Sequence, residues 1–244
     1  MAPISLLLQD LAGDVQVSKR ARQISRAHKL LGLVVGVQLL FWTLSGFYFT
    51  LFPIETIRGE HLRAGPQPID VAALEETSLP QLDATTTRLE VRRVLGEPVW
   101  LATGETGASL YDFETGEPLA PFGETEVREI ALQGWRGHGE IISAELVETP
   151  PREAGSSSPL WRVDFDGQDK ATFWVDATRG EVRAVRTGKW RLFDVLWRFH
   201  IMDITGEDRF DSWWLKLAAF LGLTTVLFGI ALLVQRALRG RLLK

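Results

Sequence analysis

The sequence predicts a membrane protein of the α+β class, with two transmembrane helices flanking a domain of helices packed on small antiparallel sheets. Three observations predict it. Two long runs carry no charge: Leu30 to Ile54, "LLGLVVGVQLLFWTLSGFYFTLFPI", has none in 25 positions, and Leu217 to Gln235 has none in 19. A helix needs about 20 apolar residues to cross the hydrocarbon core, so both runs qualify as spans. Basic residues gather just outside the two runs. Between them, a stretch rich in turn and strand formers repeats itself at a spacing of 64 residues.

Residues 1–27 read as a cytoplasmic segment. Ile4, Leu7, Leu8 and Leu11 recur at helical spacing ahead of a basic run, the pattern of a short surface-lying helix; a frayed tail is the alternative. The first span covers 28–54. It is too long for the apolar core of a cleaved signal peptide, starts too far into the chain and leaves through "FYFTLFPIE", so it reads as an uncleaved anchor. The second span covers 212–235, followed by a basic tail, 236–244. A buried core helix is the alternative for this shorter run, and its basic flanks argue against it.

The charges set the expected orientation. Lys19, Arg20, Arg22, Arg26 and Lys29 precede the first span, and Arg236, Arg239, Arg241 and Lys244 follow the second. Only Asp10 and Asp14 among the acids lie outside the central stretch, which leaves 18 basic and 29 acidic residues from Glu55 to Lys216, a formal net of −11. The excess of Lys and Arg on the short tails places both termini in the cytoplasm. In a Gram-negative bacterium the central domain is then periplasmic and the protein sits in the inner membrane. An acidic domain is also a poor partner for nucleic acid. With no cysteine, disulfides, thiolate metal sites, iron–sulfur clusters and covalently attached haem are excluded.

The central domain reads as two similar units, 55–122 and 123–188. "YDFETGE" (Tyr111–Glu117) and "VDATRGE" (Val175–Glu181) each follow a short β-rich run and carry Asp and Gly at turn positions, the signature of a hairpin. Ahead of the first, the spacing of Leu82, Leu89, Val91 and Val94-Leu95 predicts a helix opening at Leu79-Pro80 and closing at Gly96. Ahead of the second, 125–132 reads as helix, and "IISAELVE" and "LWRVDFD" as strands. Each unit is thus a helix against a small antiparallel sheet, with Pro150–Pro159 as a flexible turn. From 189 to 205 the chain is amphipathic. Trp190, Phe193, Trp197, His200, Ile201 and Ile204 share one arc of a helix, and Thr205-Gly206-Glu207 ends it. Such a helix lies near the outer membrane surface, where aromatic belts form.

Three segments resemble the PepSY-associated transmembrane family. "RAHKLLGLVVGVQLLFWTLSGFY" is similar to its first helix, Arg-x-x-His before an apolar run ending in Ser-Gly. "FPIETIRGEHL" is similar to the segment that follows, and "KWRLFDVLWRFHIMDI" to the aromatic-rich Leu-His-x-x-Asp segment before a later span. The resemblance implies tandem PepSY-like modules in the periplasm. Some members resemble inner-membrane siderophore-iron reductases, which implies b-type haem held between helix histidines. Other PepSY proteins modulate proteases or assist assembly, which implies a protein partner.

Ionisable residues in or beside spans default to functional hypotheses, which singles out His28 and His200 as candidate cofactor and metal ligands. One span of roughly 30 Å of hydrocarbon separates them, so one chain cannot place both on one iron. A homo-oligomer changes the geometry: two copies make a four-helix bundle, and bundles hold cofactors between facing side chains. Paired His28 and paired His200 then flank two b-type haems, with neutral imidazole as axial ligand. Gly32, Gly36, Ser45, Gly46, Gly222 and Gly229 supply positions where a helix or porphyrin approaches closely. The competing reading makes His28 a contact to lipid phosphate and His200 an interfacial anchor bonded to Asp203. His61 and His138, in "GEHLR" and "GWRGHGE", read as surface residues.

No nucleophile elbow, zinc-protease motif or phosphate-cradling loop is present, so no catalytic residues are assigned. Two functions stay open. One is transmembrane electron transfer through b-type haem, linked to iron or respiratory metabolism. The other is a non-catalytic accessory subunit of a larger membrane complex, its outer domain binding a protein partner.

Overall fold

The computed structural model describes residues 4–65, 67–69, 77–167, 169–203 and 211–238, with the backbone alone for 4–21. The chain divides into two compact units, residues 1–51 with 194–244, and residues 52–193.

The first unit is built on two helices, α1 (Ile4–Leu51) and α5 (Trp213–Leu238). Each is long and apolar enough to cross a membrane, and its apolar side chains stay exposed. Leu33 is 68% exposed and Phe220 64%. A core helix of a water-soluble fold would bury such residues, because each fully buried leucine or phenylalanine is worth about 1.5–3 kcal/mol. Exposed apolar faces of this length are compatible with contact to membrane lipid. The expected separate N-terminal helix is absent: α1 runs unbroken from Ile4 into the span. No proline interrupts 4–51, and Lys, Arg, Ala and Gln in the basic run are good helix formers, so nothing stops propagation.

The second unit begins where Pro53 ends α1. A four-residue helix α2 (Ile54–Ile57) and a short 3-10 turn (Glu60–Leu62) bury Ile57 and Leu62. Between them Gly59 has φ +71°, and a Cβ there would stand 2.7 Å from Val185 Cγ1. Two antiparallel sheets follow. One has β1 (Thr86–Val94), β2 (Glu97–Gly104) and β3 (Gly107–Asp112) in that order. The other has β4 (Ile141–Val147), β5 (Leu160–Phe165), β6 (Thr172–Asp176) and β7 (Glu181–Arg186), also in order. Helix α3 (Glu124–Gly134) lies between them in sequence.

The expected helix from Leu79 to Gly96 is strand β1. Its apolar residues fit a 3.6-residue period by accident. The β-branched run Thr85-Thr86-Thr87 and the period-two charges Arg88, Glu90 and Arg92 suit a pleated strand better. Arg88 and Arg92 both bind Glu90 on one face, at 2.5 and 2.6 Å. Gly96 is no helix cap: Leu95 and Gly96 have φ 53° and 89° and close a two-residue hairpin between Val94 and Glu97, the loop that matches strand twist. Among the described residues the first sheet therefore has no helix of its own.

The unit has one continuous core. Val94, Val99, Leu101 and Leu110 of the first sheet, Val127, Ile130 and Ala131 of α3, and Val163, Phe165, Phe173 and Val175 of the second sheet belong to a single buried cluster. Trp135 stacks on Phe165 at 4.1 Å between ring centroids, and Phe173 meets both edge-on. The ion pair between Arg92 and Glu181 joins the sheets at their rim. Burial acts to lower the Arg92 pKa, but Glu181 and Glu90 outweigh it and hold the guanidinium above its ordinary value.

Both repeated turns form as the sequence implies. Asp112 Oδ1 accepts from the Glu114 and Thr115 amides and the Thr115 hydroxyl, and Asp176 Oδ1 accepts from the Thr178 and Arg179 amides. Gly116 and Gly180 take φ 73° and 60°, a region glycine occupies without penalty. Only the second turn continues into a full strand, β7. After the first, a lone bridge from Tyr111 to Pro118 is all that pairs, because Pro118 and Pro121 cannot donate to a ladder.

Helix α4 (Gly188–His200) leaves β7 directly. The Thr187 hydroxyl caps it by accepting from the Trp190 amide at 3.1 Å. Arg191 holds its first turn with a forked pair to Glu153 at 3.1 and 3.2 Å, and donates to Lys170 O and the Thr172 hydroxyl. The helix ends at His200, not at 205, with Met202 at φ 52°. Ile204 and the expected stop at Thr205-Gly206-Glu207 lie outside the described residues.

Candidate functional site

The first unit brings each candidate histidine against a partner on another helix. Trp42, Ser45 and Phe49 fall on one face of α1, three and four residues apart. Trp197 and His200 stand one turn apart on α4. The His200 ring lies parallel to Trp197 at 6.3 Å, with Phe49 at 5.4 Å and Trp42 at 5.9 Å. Three aromatic rings thus fix its plane. Its Nδ1 lies 2.8 Å from Ser45 Oγ, a side chain 2% exposed.

The serine has one proton, and its oxygen lies 2.8 Å from Phe41 O and 3.1 Å from Trp42 O. Back-bonding of this kind is the usual use of a serine inside a helix. With that proton spent on the helix, His200 Nδ1–H donates to Ser45 Oγ. The expected bond from His200 to Asp203 is therefore replaced by one to Ser45. Asp203 is itself buried at 4% exposure and otherwise engaged.

His28 is held in the same manner. Its Nδ1 lies 3.1 Å from the Thr225 carbonyl of α5. A carbonyl only accepts, so His28 Nδ1–H donates. Thr225 and Gly229 are one turn apart, and the imidazole lies over the glycine: a Cβ at 229 would stand 3.2 Å from His28 Cε1. Of the small positions singled out in the sequence, Gly229 receives the imidazole and Ser45 the hydrogen bond. Gly32, Gly36, Gly46 and Gly222 face open space.

Both histidines therefore spend Nδ1 on a positioning bond, and neither Nε2 has a hydrogen-bond partner among the described residues. An imidazole whose Nδ1–H is pinned presents Nε2 as a free lone pair in a fixed direction, the arrangement of metal-ligating histidines. The donor set suits an axial haem ligand, which needs one such nitrogen per face. From His28 to Ser45 is 17 residues, about 26 Å of helix axis, so the two imidazoles serve separate centres. The large groove of this unit is lined by neither histidine. Among the described residues no group of three or more His, Asp or Glu gathers as a metal cluster. His61 and His138 are exposed.

The roles of Ser45 and Thr225 have no signal in the sequence. Each is an ordinary small residue in an apolar run, and its histidine is 155 or 197 residues away. Comparison with protein-family models, with curated proteins and with solved structures finds no match to this chain.

Proposed function

We propose that the protein is an inner-membrane electron carrier of the PepSY-associated transmembrane kind, in which His28 and His200 would hold two b-type haems in a homo- or hetero-oligomer. One observation carries this reading: at two levels of the same helix an imidazole is oriented through Nδ1 and offers an unpartnered Nε2. Haem iron supplies one-electron chemistry when bound. The residues of this chain bind and orient it: Ser45 and Thr225 fix the ring tautomers, Trp42, Phe49 and Trp197 exclude water around His200, and Gly229 makes room for His28.

The charge distribution supports a topology with both termini cytoplasmic and the acidic α/β unit in the periplasm. His28 then lies at the cytoplasmic end of the apolar run of α1 and His200 nearer its outer end, and haems held there would carry electrons between the two levels. The role is linked to iron or respiratory metabolism by the same resemblance.

A second reading has its own observation. In the single chain each Nδ1 bond joins two helices, as a structural tie would, and neither histidine lines the large groove of this unit. The protein is then an accessory subunit whose outer domain binds a partner protein. An absorption spectrum of the full chain purified from haem-replete cells separates the two. Sharp reduced α and Soret bands, lost in His28→Ala and His200→Ala, support the carrier. A colourless, folded preparation that takes up no haem removes it and favours the accessory subunit.

A further inference from the structure

The first unit contains a groove of about 990 Å3 along α1, α5 and the end of α4. That volume lies at the upper end of the range for small-molecule sites, which are apolar with a few placed polar groups. The groove follows α1 from Val34 to Trp42, about 12 Å, and α5 from Trp214 to Val226, about 18 Å, or roughly the depth of one leaflet.

Its polarity is uneven. One end is bare hydrocarbon, with Val34, Leu221, Gly222 and Val226. The other end is lined by Arg198, Trp42, Asp203 and Trp214, with Gln38 one turn deeper than Trp42. Arg198 Nε, Trp42 Nε1 and Gln38 Nε2 are all buried and have no hydrogen-bond partner among the described residues. A buried N–H without an acceptor is costly in a membrane, where no water replaces the missing bond. Asp203 faces the same end and is already engaged. The unmet demand is therefore for acceptors, with negative charge at Arg198 and neutral acceptors beside the two N–H groups on α1.

We propose that this groove is a binding site for one glycerophospholipid. Its phosphate sits at Arg198, its ester carbonyls lie at the level of Trp42 and Gln38, and an acyl chain runs down to Val226. A neutral isoprenoid such as a quinone matches the apolar wall but brings no anionic acceptor to Arg198 Nε. A phosphate matches both charge and depth, since guanidinium–phosphate bonds are among the stronger hydrogen bonds. The proposal needs the membrane but no haem.

The full chain is purified in mild detergent, washed extensively, and examined by native mass spectrometry and by lipid extraction with phosphate determination. About one phospholipid per chain is expected to remain. Arg198→Gln is expected to lower retention at least about tenfold, the scale of one lost charge-assisted bond. Arg236→Gln, at the far end of α5, leaves it unchanged. A second measurement needs no variant. Delipidated wild-type protein titrated with dioleoylphosphatidylglycerol is expected to form a one-to-one adduct, and dioleoylglycerol with the same chains but no phosphate is not. Equal uptake of both, retention that ignores Arg198→Gln, or a retained phosphate-free isoprenoid would each overturn the assignment.

Discussion

Gly180 and Gly155 both take the left-handed backbone, at φ +60° and +67°, yet replacing them with alanine has different consequences. The left-handed conformation costs an L-residue about 1–2 kcal/mol, and both variants bear that. At Gly155 nothing lies within 4 Å of the new Cβ, so backbone strain is the whole effect. At Gly180 the Cβ would stand 2.7 Å from Val94 Cγ1 and 2.9 Å from Phe122 Cε2. Val94 is a core residue at 5% exposure, so it yields only by moving the first sheet or its side chain. Overpacking of this kind adds about 1–3 kcal/mol. The unfolded-state gain from losing a glycine is common to both sites and cancels between them.

Gly180→Ala is thus expected to be less stable than Gly155→Ala by roughly 1–3 kcal/mol, about 2–12 °C in Tm for a unit of this size. The assay is thermal unfolding of the full chain in detergent, followed by near-ultraviolet circular dichroism, which reports the stacked Trp135–Phe165 pair. Equal losses for the two variants would refute the contact between this turn and the first sheet, and with it the single shared core.

The remaining predictions concern one carboxylate and one glycine. The Thr115 amide and hydroxyl and the Glu114 amide hold the Asp112 carboxyl below its ordinary pKa, against a smaller opposing effect of burial. A depressed carboxylate stabilises the fold above the usual carboxylate range and loses that contribution as pH falls through the folded-state value. Asp112→Asn should therefore lower the urea midpoint at about pH 7 and flatten its decline towards about pH 3; an unchanged acid slope would count against the turn. Gly229→Leu fills the space under the His28 ring. It should weaken the haem α band while leaving the far-ultraviolet circular dichroism intact, and a spectrum identical to wild type would dismiss the cradle.

The sequence makes legible whatever is local. The two spans follow from uncharged length, α3 and the start of α4 from apolar spacing, and the repeated turns from Asp and Gly, because each depends on neighbours a few residues away. What failed depends on distant partners. Strand β1 carries Leu89, Val91 and Val94, which fit a helix, and its strand character is completed by β2 and by Glu181, 89 residues from Arg92. The shared core of α3 and both sheets is also built from distant residues, Val94 to Val185, and so leaves no local trace. At the site, both histidines stand out in the sequence by scarcity and place. Their partners do not, because hydroxyls and carbonyls inside an apolar helix look alike until the helices meet.

Electron transfer across a sealed membrane tests the central claim most directly. Full-chain protein is reconstituted into vesicles that enclose a ferric acceptor, and a membrane-impermeant reductant is added outside. Wild-type vesicles are expected to reduce the enclosed iron well above protein-free vesicles, and His28→Ala and His200→Ala each to return the rate to background. Vesicles that never exceed background with haem-loaded protein, or variants as fast as wild type, would contradict a path for electrons between the two histidines.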